Sequence, residues 1–189
     1  GLRMRTLADL ERYCYFVAGT VGMLLTGLFL RHVRPDDPAV ASACGARAVA
    51  FGRGLQLINI LRDVRSDLER GVCFLPEEEL RRAGVPAEEA LEPRYASAVG
   101  RVVDVVRARA RRDLLEGIVY ALAWPDGRGE GVRFFCAVPL GLALRISSCV
   151  LEGRDGLPTV DLGRAEVLAI FEEARAAAGE RSALEALLE

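Results

Sequence analysis

The sequence predicts a single all-α domain over residues 1–189, and three observations indicate this class. Apolar residues recur at helical spacing through several long stretches. No stretch alternates apolar and polar residues as a half-buried strand would, and no segment repeats. The chain has 189 residues, 51% of them hydrophobic, which is enough to bury a sizeable core. We therefore expect long helices packed in one layer around a central cavity.

Composition removes several classes of function. The net charge of −2 and a pI of about 5.7 leave no basic surface for a nucleic acid partner. Five cysteines at wide spacing, with no CxxC pair, predict free thiols in a reducing compartment, and hence a cytoplasmic protein. The single histidine, His32, removes most histidine–metal and triad chemistries.

Residues 7–30 are predicted to form the first helix. Residues 13–30 carry no charge, a length at the lower limit for crossing a membrane. Gly19, Gly22 and Gly27 favour instead a buried core helix with close neighbours, because glycine lets another backbone approach.

Residues 34–38 form the next predicted turn, which contains two prolines and the helix-capping residue Asp37. Capping and solvation account for Asp36 and Asp37, so neither is assigned as a metal ligand. A second long helix is expected over residues 39–68. Its glycines at 45, 52 and 54 are expected to break or bend it.

The second helix carries a polar stripe near its C-terminal end. At 100° per residue, Gln56, Asn59, Asp63 and Asp67 fall within an arc of roughly 80° beside an apolar face. Such a stripe is costly to place against a core unless something binds it.

A hard cation fits this stripe because Mg²⁺ prefers oxygen ligands and is held by one or two carboxylates together with substrate phosphates. Asp63 and Asp67 lie one helical turn apart, and Asn59 lies one turn before them. The alternative is a solvated acidic face, with Arg62 and Arg65 as partners within the helix.

The remaining elements follow from periodicity and turn residues. Arginines in 101–112 alternate with Val, Ala and Asp, which indicates a solvated helix face, and Arg145 in an apolar helix requires a buried acid or a bound anion. Residues after Gly179 are expected to fray.

In order, the expected elements are an exit loop over 69–76, helices over 77–83, 96–123 and 131–151 (the last kinked at Pro139), a loop over 153–158 and a helix over 162–178.

Three segments resemble a known family. Residues 55–64 (LQLINILRDV), followed by Asp67 and by FLP at 74–76, resemble the second aspartate-rich motif of the squalene/phytoene synthase family. Residues 13–22 (YCYFVAGTVG) resemble its other signature, and residues 135–139 (FCAVP) are similar to the late helix of squalene synthases. The resemblance runs from about residue 7 to about residue 175. Val72 replaces the usual arginine of the exit loop, and Ser66 replaces a frequent acid.

The resemblance implies a terpenoid-synthase-like helical bundle that is incomplete at its N-terminus, because the family's first aspartate-rich motif is absent. The chain is then expected to be the C-terminal part of a larger domain, needing a complementing N-terminal segment or chain. The resemblance also implies roles for individual residues: Asn59, Asp63 and Asp67 as Mg²⁺ ligands, Gln56 and Arg62 at the substrate diphosphate, Tyr13 as catalytic, and Val17, Gly22 and Phe135 along the isoprenoid tunnel.

The implied reaction is Mg²⁺-dependent head-to-head condensation of two prenyl diphosphates. Farnesyl diphosphate, giving presqualene diphosphate and then squalene or dehydrosqualene, is favoured by the matches at 13–15 and 135–139. Phytoene formation from geranylgeranyl diphosphate is the first alternative, and a non-catalytic helical assembly protein is the second. NADPH is needed only if squalene is the product. A hydrocarbon product also suits peripheral contact with a membrane.

Overall fold

A computed structural model of the chain describes residues 4–149, 157 and 162–188. Helices, turns and coil make up all of these described residues, with no strand among them, so the all-α prediction is confirmed. The helices are α1 (Leu7–Cys14), a π-helical turn (Tyr15–Gly19), α2 (Thr20–Val33), α3 (Pro38–Glu69), α4 (Glu77–Arg82), α5 (Ala96–Leu122), α6 (Glu130–Cys149), α7 (Arg164–Ala177) and α8 (Arg181–Leu188), with 3₁₀ turns at Ala87–Glu89 and Pro93–Tyr95.

The helix predicted over residues 7–30 is present as α1, the π-helical turn and α2 in continuous succession. Thr6 caps its start, because its hydroxyl accepts from the Asp9 N–H at 3.1 Å while Asp9 accepts from the Thr6 N–H. The π-helical turn, where the Thr20 N–H donates to the Tyr15 carbonyl, was not predicted. It adds a residue to one turn and so changes which side chains share a face beyond it.

α3 is the central helix and runs unbroken for 32 residues, so of the predicted break or bend at its glycines the break is wrong. Asp37 caps it as predicted, accepting from the Ala39 N–H at 2.8 Å. Its glycines admit neighbouring backbones: a Cβ on Gly52 would lie 2.2 Å from the Ala18 carbonyl oxygen. Similarly, a Cβ on Gly22 would lie 2.1 Å from the carbonyl oxygen of Ala48 on α3.

The core lies where α3 packs along α5, with α6 and the π-helical turn against other faces of α3. Buried aliphatic side chains of both helices fill this contact, among them Leu57, Leu61, Val103 and Leu114. Tyr120 extends the core, stacking on Phe51 with ring centroids 4.9 Å apart.

The C-terminal helices pack more closely than the sequence indicated. α8 buries Leu184 and Leu188, so the prediction that residues after Gly179 fray is wrong. Arg133, fully buried, donates to the carbonyls of Ala178 and Gly179 at 2.8 and 2.9 Å, which holds the end of α7 against α6. α6 continues through Pro139. The predicted loop over 153–158 lies outside the described residues except for Leu157.

Arg145 has the carboxylate partner that its place in an apolar helix required. The partner is Glu166 on α7, but Arg145 is 56% exposed, so the pair lies at the surface rather than in the core.

The first helix is buried on one face only, which corrects the prediction of a buried core helix. Only 22% of the most apolar window in Leu7–Val33 is buried, against 39% for the corresponding window in Glu130–Ser148. Both segments have the length and composition of a membrane span. Six large apolar side chains of the first helix are exposed, and together they form what we call the apolar face: Phe16, Val17, Val21, Met23, Leu24 and Leu28.

Candidate active site

The polar stripe lies on the unbroken second half of α3, which is why its residues share one face. Gln56, Asn59 and Asp63 are half-buried, and Asp67 is buried. Core residues such as Leu57 and Val64 occupy the adjoining face, so helix packing fixes the direction in which the stripe points.

Both aspartates of the stripe contact arginines. Arg62 donates two hydrogen bonds to Asp63, each of 2.8 Å, and both side chains are 42% exposed. Asp67 accepts a short hydrogen bond from Arg70, whose side chain is 68% exposed. The bonds from Arg62 lower the pKa of Asp63, so that carboxylate is ionised at neutral pH. Arg62 is thus the intrahelical partner that the solvated-face alternative foresaw.

The donor chemistry of the stripe fits a hard cation. Asp63 and Asp67 supply carboxylate oxygens, and Asn59 supplies an amide oxygen. The arginines bonded to them, Arg62 and Arg70, have exposed side chains. Within the described part of the chain no three His, Cys, Asp or Glu side chains form a ready metal cluster. A cation would therefore complete its coordination with Asn59, water or phosphate oxygens, as Mg²⁺ commonly does.

A cavity of about 460 Å³ opens beside the stripe, between α3, α6 and the start of α7. Asn59 and Arg62 are its polar members, and apolar side chains form the rest of its wall: Leu55, Ile58, Pro139, Leu142, Ala143, Ile146, Leu162 and Val167. An apolar pocket with a few convergent polar groups is the usual form of a site for a small ligand.

The structure places Tyr13 outside this cavity wall. Its ring packs on Phe74, with centroids 5.3 Å apart, so the exit loop after the stripe returns to the helix that carries Tyr13. The Glu77 N–H also donates to the Met4 carbonyl at 2.8 Å, joining the start of α4 to the segment before α1. Tyr13 and the C-terminal end of α3 are therefore connected through residues 70–77.

Val17, Gly22 and Phe135 also lie outside the cavity wall. Val17 is 42% exposed and Phe135 47% exposed, with the Phe135 ring edge-on to Phe29 at 5.4 Å. Gly22 meets the Ala48 carbonyl, so close packing of α2 on α3 accounts for a glycine there. The tunnel roles of these three residues stay predictions.

One cluster near the site was missed by sequence reasoning. Asp113 on α5 is only 3% exposed and bonds to Arg53 and Arg109. The available signal was an aspartate on the apolar face of α5, at helical spacing from Ala110 and Gly117. The prediction that arginines in 101–112 lie on a solvated face is wrong for Arg109, which is 14% exposed.

Comparison with known sequences gives a consistent result. The sequence model described as Squalene/phytoene synthase matches residues 2–168. The chain is 42% identical over 86 residues to the chloroplastic phytoene synthase of Daucus carota, covering 46% of this chain and 21% of that protein. It is 37% identical over 117 residues to the phytoene synthase of Thermus thermophilus, covering 62% of this chain and 37% of that protein.

Comparison with solved structures supports the fold. TcSQS in complex with a ligand matches with a TM-score of 0.79 at 23% identity, covering 99% of this chain and 60% of that chain. A dehydrosqualene synthase in complex with a ligand matches with a TM-score of 0.66 at 21% identity, covering 93% of this chain and 59% of that chain. The chain therefore spans three fifths of these structures and less of the curated relatives.

Proposed function

This chain belongs to the squalene/phytoene synthase family, whose members join prenyl diphosphates head to head, and on that premise we propose that it carries the diphosphate-binding part of such a site. The observation that supports this most strongly is the Gln56–Asp67 stripe on an unbroken helix beside an apolar cavity of about 460 Å³. The stripe suits the charged end of a prenyl diphosphate, and the cavity suits its hydrocarbon chain.

In this proposal Asn59, Asp63 and Asp67 would hold Mg²⁺, and the ion would supply positive charge beside the diphosphate group. Gln56 and Arg62 donate hydrogen bonds to the phosphate oxygens. The guanidinium of Arg62 suits these oxygens because it is planar and permanently charged.

Tyr13 lies at the reacting end in this proposal and orients the departing group. The apolar wall of the cavity keeps water from the allylic cation, which water would otherwise capture. Val17, Gly22 and Phe135 extend the apolar path for the substrate chain.

Two observations bear on substrate length. The curated relatives at 37% and 42% identity carry the name phytoene synthase, which supports geranylgeranyl diphosphate. The motifs at 13–15 and 135–139 support farnesyl diphosphate, and NADPH would be required only for squalene. Product analysis by mass spectrometry of a restored enzyme, given each diphosphate in turn, separates these two alternatives.

The apolar face of the first helix supports a larger domain. The structural relatives extend well beyond this chain, which matches 60% of TcSQS. We propose that a helical segment bearing the first aspartate-rich motif packs on the apolar face, within one polypeptide or as a second chain. A non-catalytic assembly protein would present the same apolar face. It would differ from a prenyltransferase because its stripe would bind no metal–diphosphate. Cytoplasmic location and peripheral membrane contact remain part of this proposal.

The experiment is calorimetric titration of inorganic pyrophosphate into the chain, with and without Mg²⁺. We expect Mg²⁺-dependent binding that Asp63→Asn abolishes without changing helicity measured by circular dichroism. Asp104→Asn is the matched control, because Asp104 also pairs with a nearby arginine, Arg107, but lies on α5 away from the stripe. Unaltered binding in Asp63→Asn would refute the metal assignment, and absence of binding in the unmodified chain would favour the assembly protein.

A further inference from the structure

An ion network centred on the buried Asp113 links three helices next to the candidate site. Asp113 on α5 accepts from Arg53 on α3 at both oxygens, with Nε–Oδ2 2.5 Å and Nη2–Oδ1 2.8 Å. Arg109 on α5 donates to the same carboxylate, Nη1–Oδ1 2.8 Å, and to Glu11 on α1. The order Glu11–Arg109–Asp113–Arg53 alternates in sign and sums to zero charge.

The two ends of this network lie beside Tyr13 and beside the Gln56–Asp67 stripe. Glu11 precedes Tyr13 by two residues on the first helix, and Arg53 precedes Gln56 by one turn on α3. α3 and α5 also approach closely here, since a Cβ on Gly54 would lie 3.0 Å from the Cβ of Asp113. α5 therefore bonds to both helices, to α3 through Asp113 and to the first helix through Arg109.

Stability alone is a weak reason to bury these charges. A buried ion pair is often replaced by packed apolar side chains with no loss of stability, because removing charges from water is costly. Apolar packing, unlike a hydrogen bond, does not fix the orientation of one helix relative to another. The two hydrogen bonds from the fork of Arg53 fix α3 relative to Asp113, and Asp113 in turn orients Arg109 on its own helix, which bonds to Glu11 of the first helix.

We propose that Asp113 is a positioning residue of the candidate site, which acts through Arg53 and Arg109 to hold Tyr13 in place relative to the Gln56–Asp67 stripe. The role of Asp113 at the site rests on the proposed function, whereas its effect on the position of the first helix can be measured independently of that function.

The reactivity of Cys14 reports whether the first helix keeps its position. Cys14 is fully buried one residue after Tyr13, and burial raises the pKa of its thiol to about 12, so it is unreactive at neutral pH while the helix stays in place. Cys44 and Cys136 are fully buried elsewhere and serve as internal references. Labelling with iodoacetamide, quantified for each cysteine by peptide mass spectrometry, separates local displacement from general loosening.

The network variant is Arg53→Met with Asp113→Leu, which removes the paired charges together. The matched control is Arg47→Met with Glu116→Leu, because Arg47 Nε and Glu116 Oε2 form another α3–α5 ion pair at 3.1 Å. We expect the network variant to keep its thermal midpoint within about 5 °C of the unmodified chain. We expect Cys14 to label roughly tenfold faster, with Cys44 and Cys136 unchanged. The control should leave all three rates unchanged.

A second variant, Glu11→Gln, removes the charge that pairs the first helix with Arg109, while Asp113 keeps both arginines. It decides the question if the network variant does not fold, and we expect faster labelling of Cys14 alone. An unchanged Cys14 rate in the folded variants, or equal acceleration at all three cysteines, would overturn the positioning role.

The affinity for pyrophosphate in the presence of Mg²⁺ tests whether the network affects the stripe. We expect it to weaken about tenfold in the network variant, as small misplacements of binding groups do. Unchanged affinity alongside a freed Cys14 would overturn the connection to the stripe. If the unmodified chain binds no Mg²⁺–pyrophosphate, the proposed function fails, while the labelling result still decides whether Asp113 seats the first helix.

Discussion

At the scale of single residues, Asp63 and Arg62 of the stripe neutralise each other as an ion pair. Neighbouring residues on a helix point about 100° apart, so the pair exists because the long Arg62 side chain folds back to the carboxylate. A cation at Asp63 and an anion at Arg62 would each replace this partner. The pair therefore holds both groups charged in the absence of ligand.

Replacing Arg62 by Gln should raise the pKa of Asp63 toward its ordinary range, since the hydrogen bonds from Arg62 are the main cause of its lowered value. A carboxyl with a lowered folded-state pKa stabilises the fold above its unfolded pKa and loses that contribution as pH falls. The stability difference between the two proteins should thus be present at neutral pH and vanish in acid. Carboxyl-carbon NMR titration measures the pKa, and identical values in both proteins would contradict this account.

At the scale of elements, the first helix and α3 cross where glycines remove two side chains from the contact. Gly22 meets the Ala48 carbonyl and Gly52 meets the Ala18 carbonyl, so each helix contributes one glycine to a reciprocal contact. The crossing brings the start of the first helix toward the half of α3 that carries the stripe.

Gly22→Ala should lower the free energy of unfolding by about 2 kcal/mol or more, because its methyl group would overlap a backbone carbonyl that cannot yield without shifting a helix. Gly27→Ala on the same helix is the matched control, with no heavy atom within 4 Å of the added Cβ. It should raise stability by up to ~1 kcal/mol through helix propensity. Urea unfolding measures both, and equal effects would show that the crossing is not tight.

Elements whose signals are local could be predicted from the sequence, and elements made by distant partners could not. The spacing of Asn59, Asp63 and Asp67 and the cap at Asp37 depend on neighbours along the chain. Asp113 owes its burial to Arg53, 60 positions away, and Arg133 on α6 holds the end of α7 and the turn before α8. No spacing rule contains such pairings, so the network and the ordered C-terminus were missed.

At the scale of the whole molecule, the fold buries a continuous core but leaves the apolar face of the first helix in water. Phe16 and Leu24 are 65% and 64% exposed. A contiguous apolar surface of this kind marks an interaction site or an aggregation liability. It fits the proposal that further helices of the family fold belong there.

The apolar face predicts that the chain self-associates, and Phe16→Ser with Leu24→Ser should reduce that association, because both side chains are mostly exposed. Static light scattering measures association, and the thermal midpoint should stay within a few degrees of its original value. Leu10→Ser, at a fully buried position of α1, is the contrasting variant and should cost ~3 kcal/mol or more. Unchanged association in the double variant would show that the apolar face is not where the chains meet.

The central claim is that the stripe on α3 is the metal–diphosphate site, and paramagnetic NMR with Mn²⁺ in place of Mg²⁺ tests it most directly. With pyrophosphate present, we predict that backbone signals broaden first around Asn59, Asp63 and Asp67. The competing acidic groups are the start of α4, with three consecutive glutamates at 77–79, and the turn containing Asp36 and Asp37. Broadening centred on either of those, with the stripe unaffected, would contradict the account.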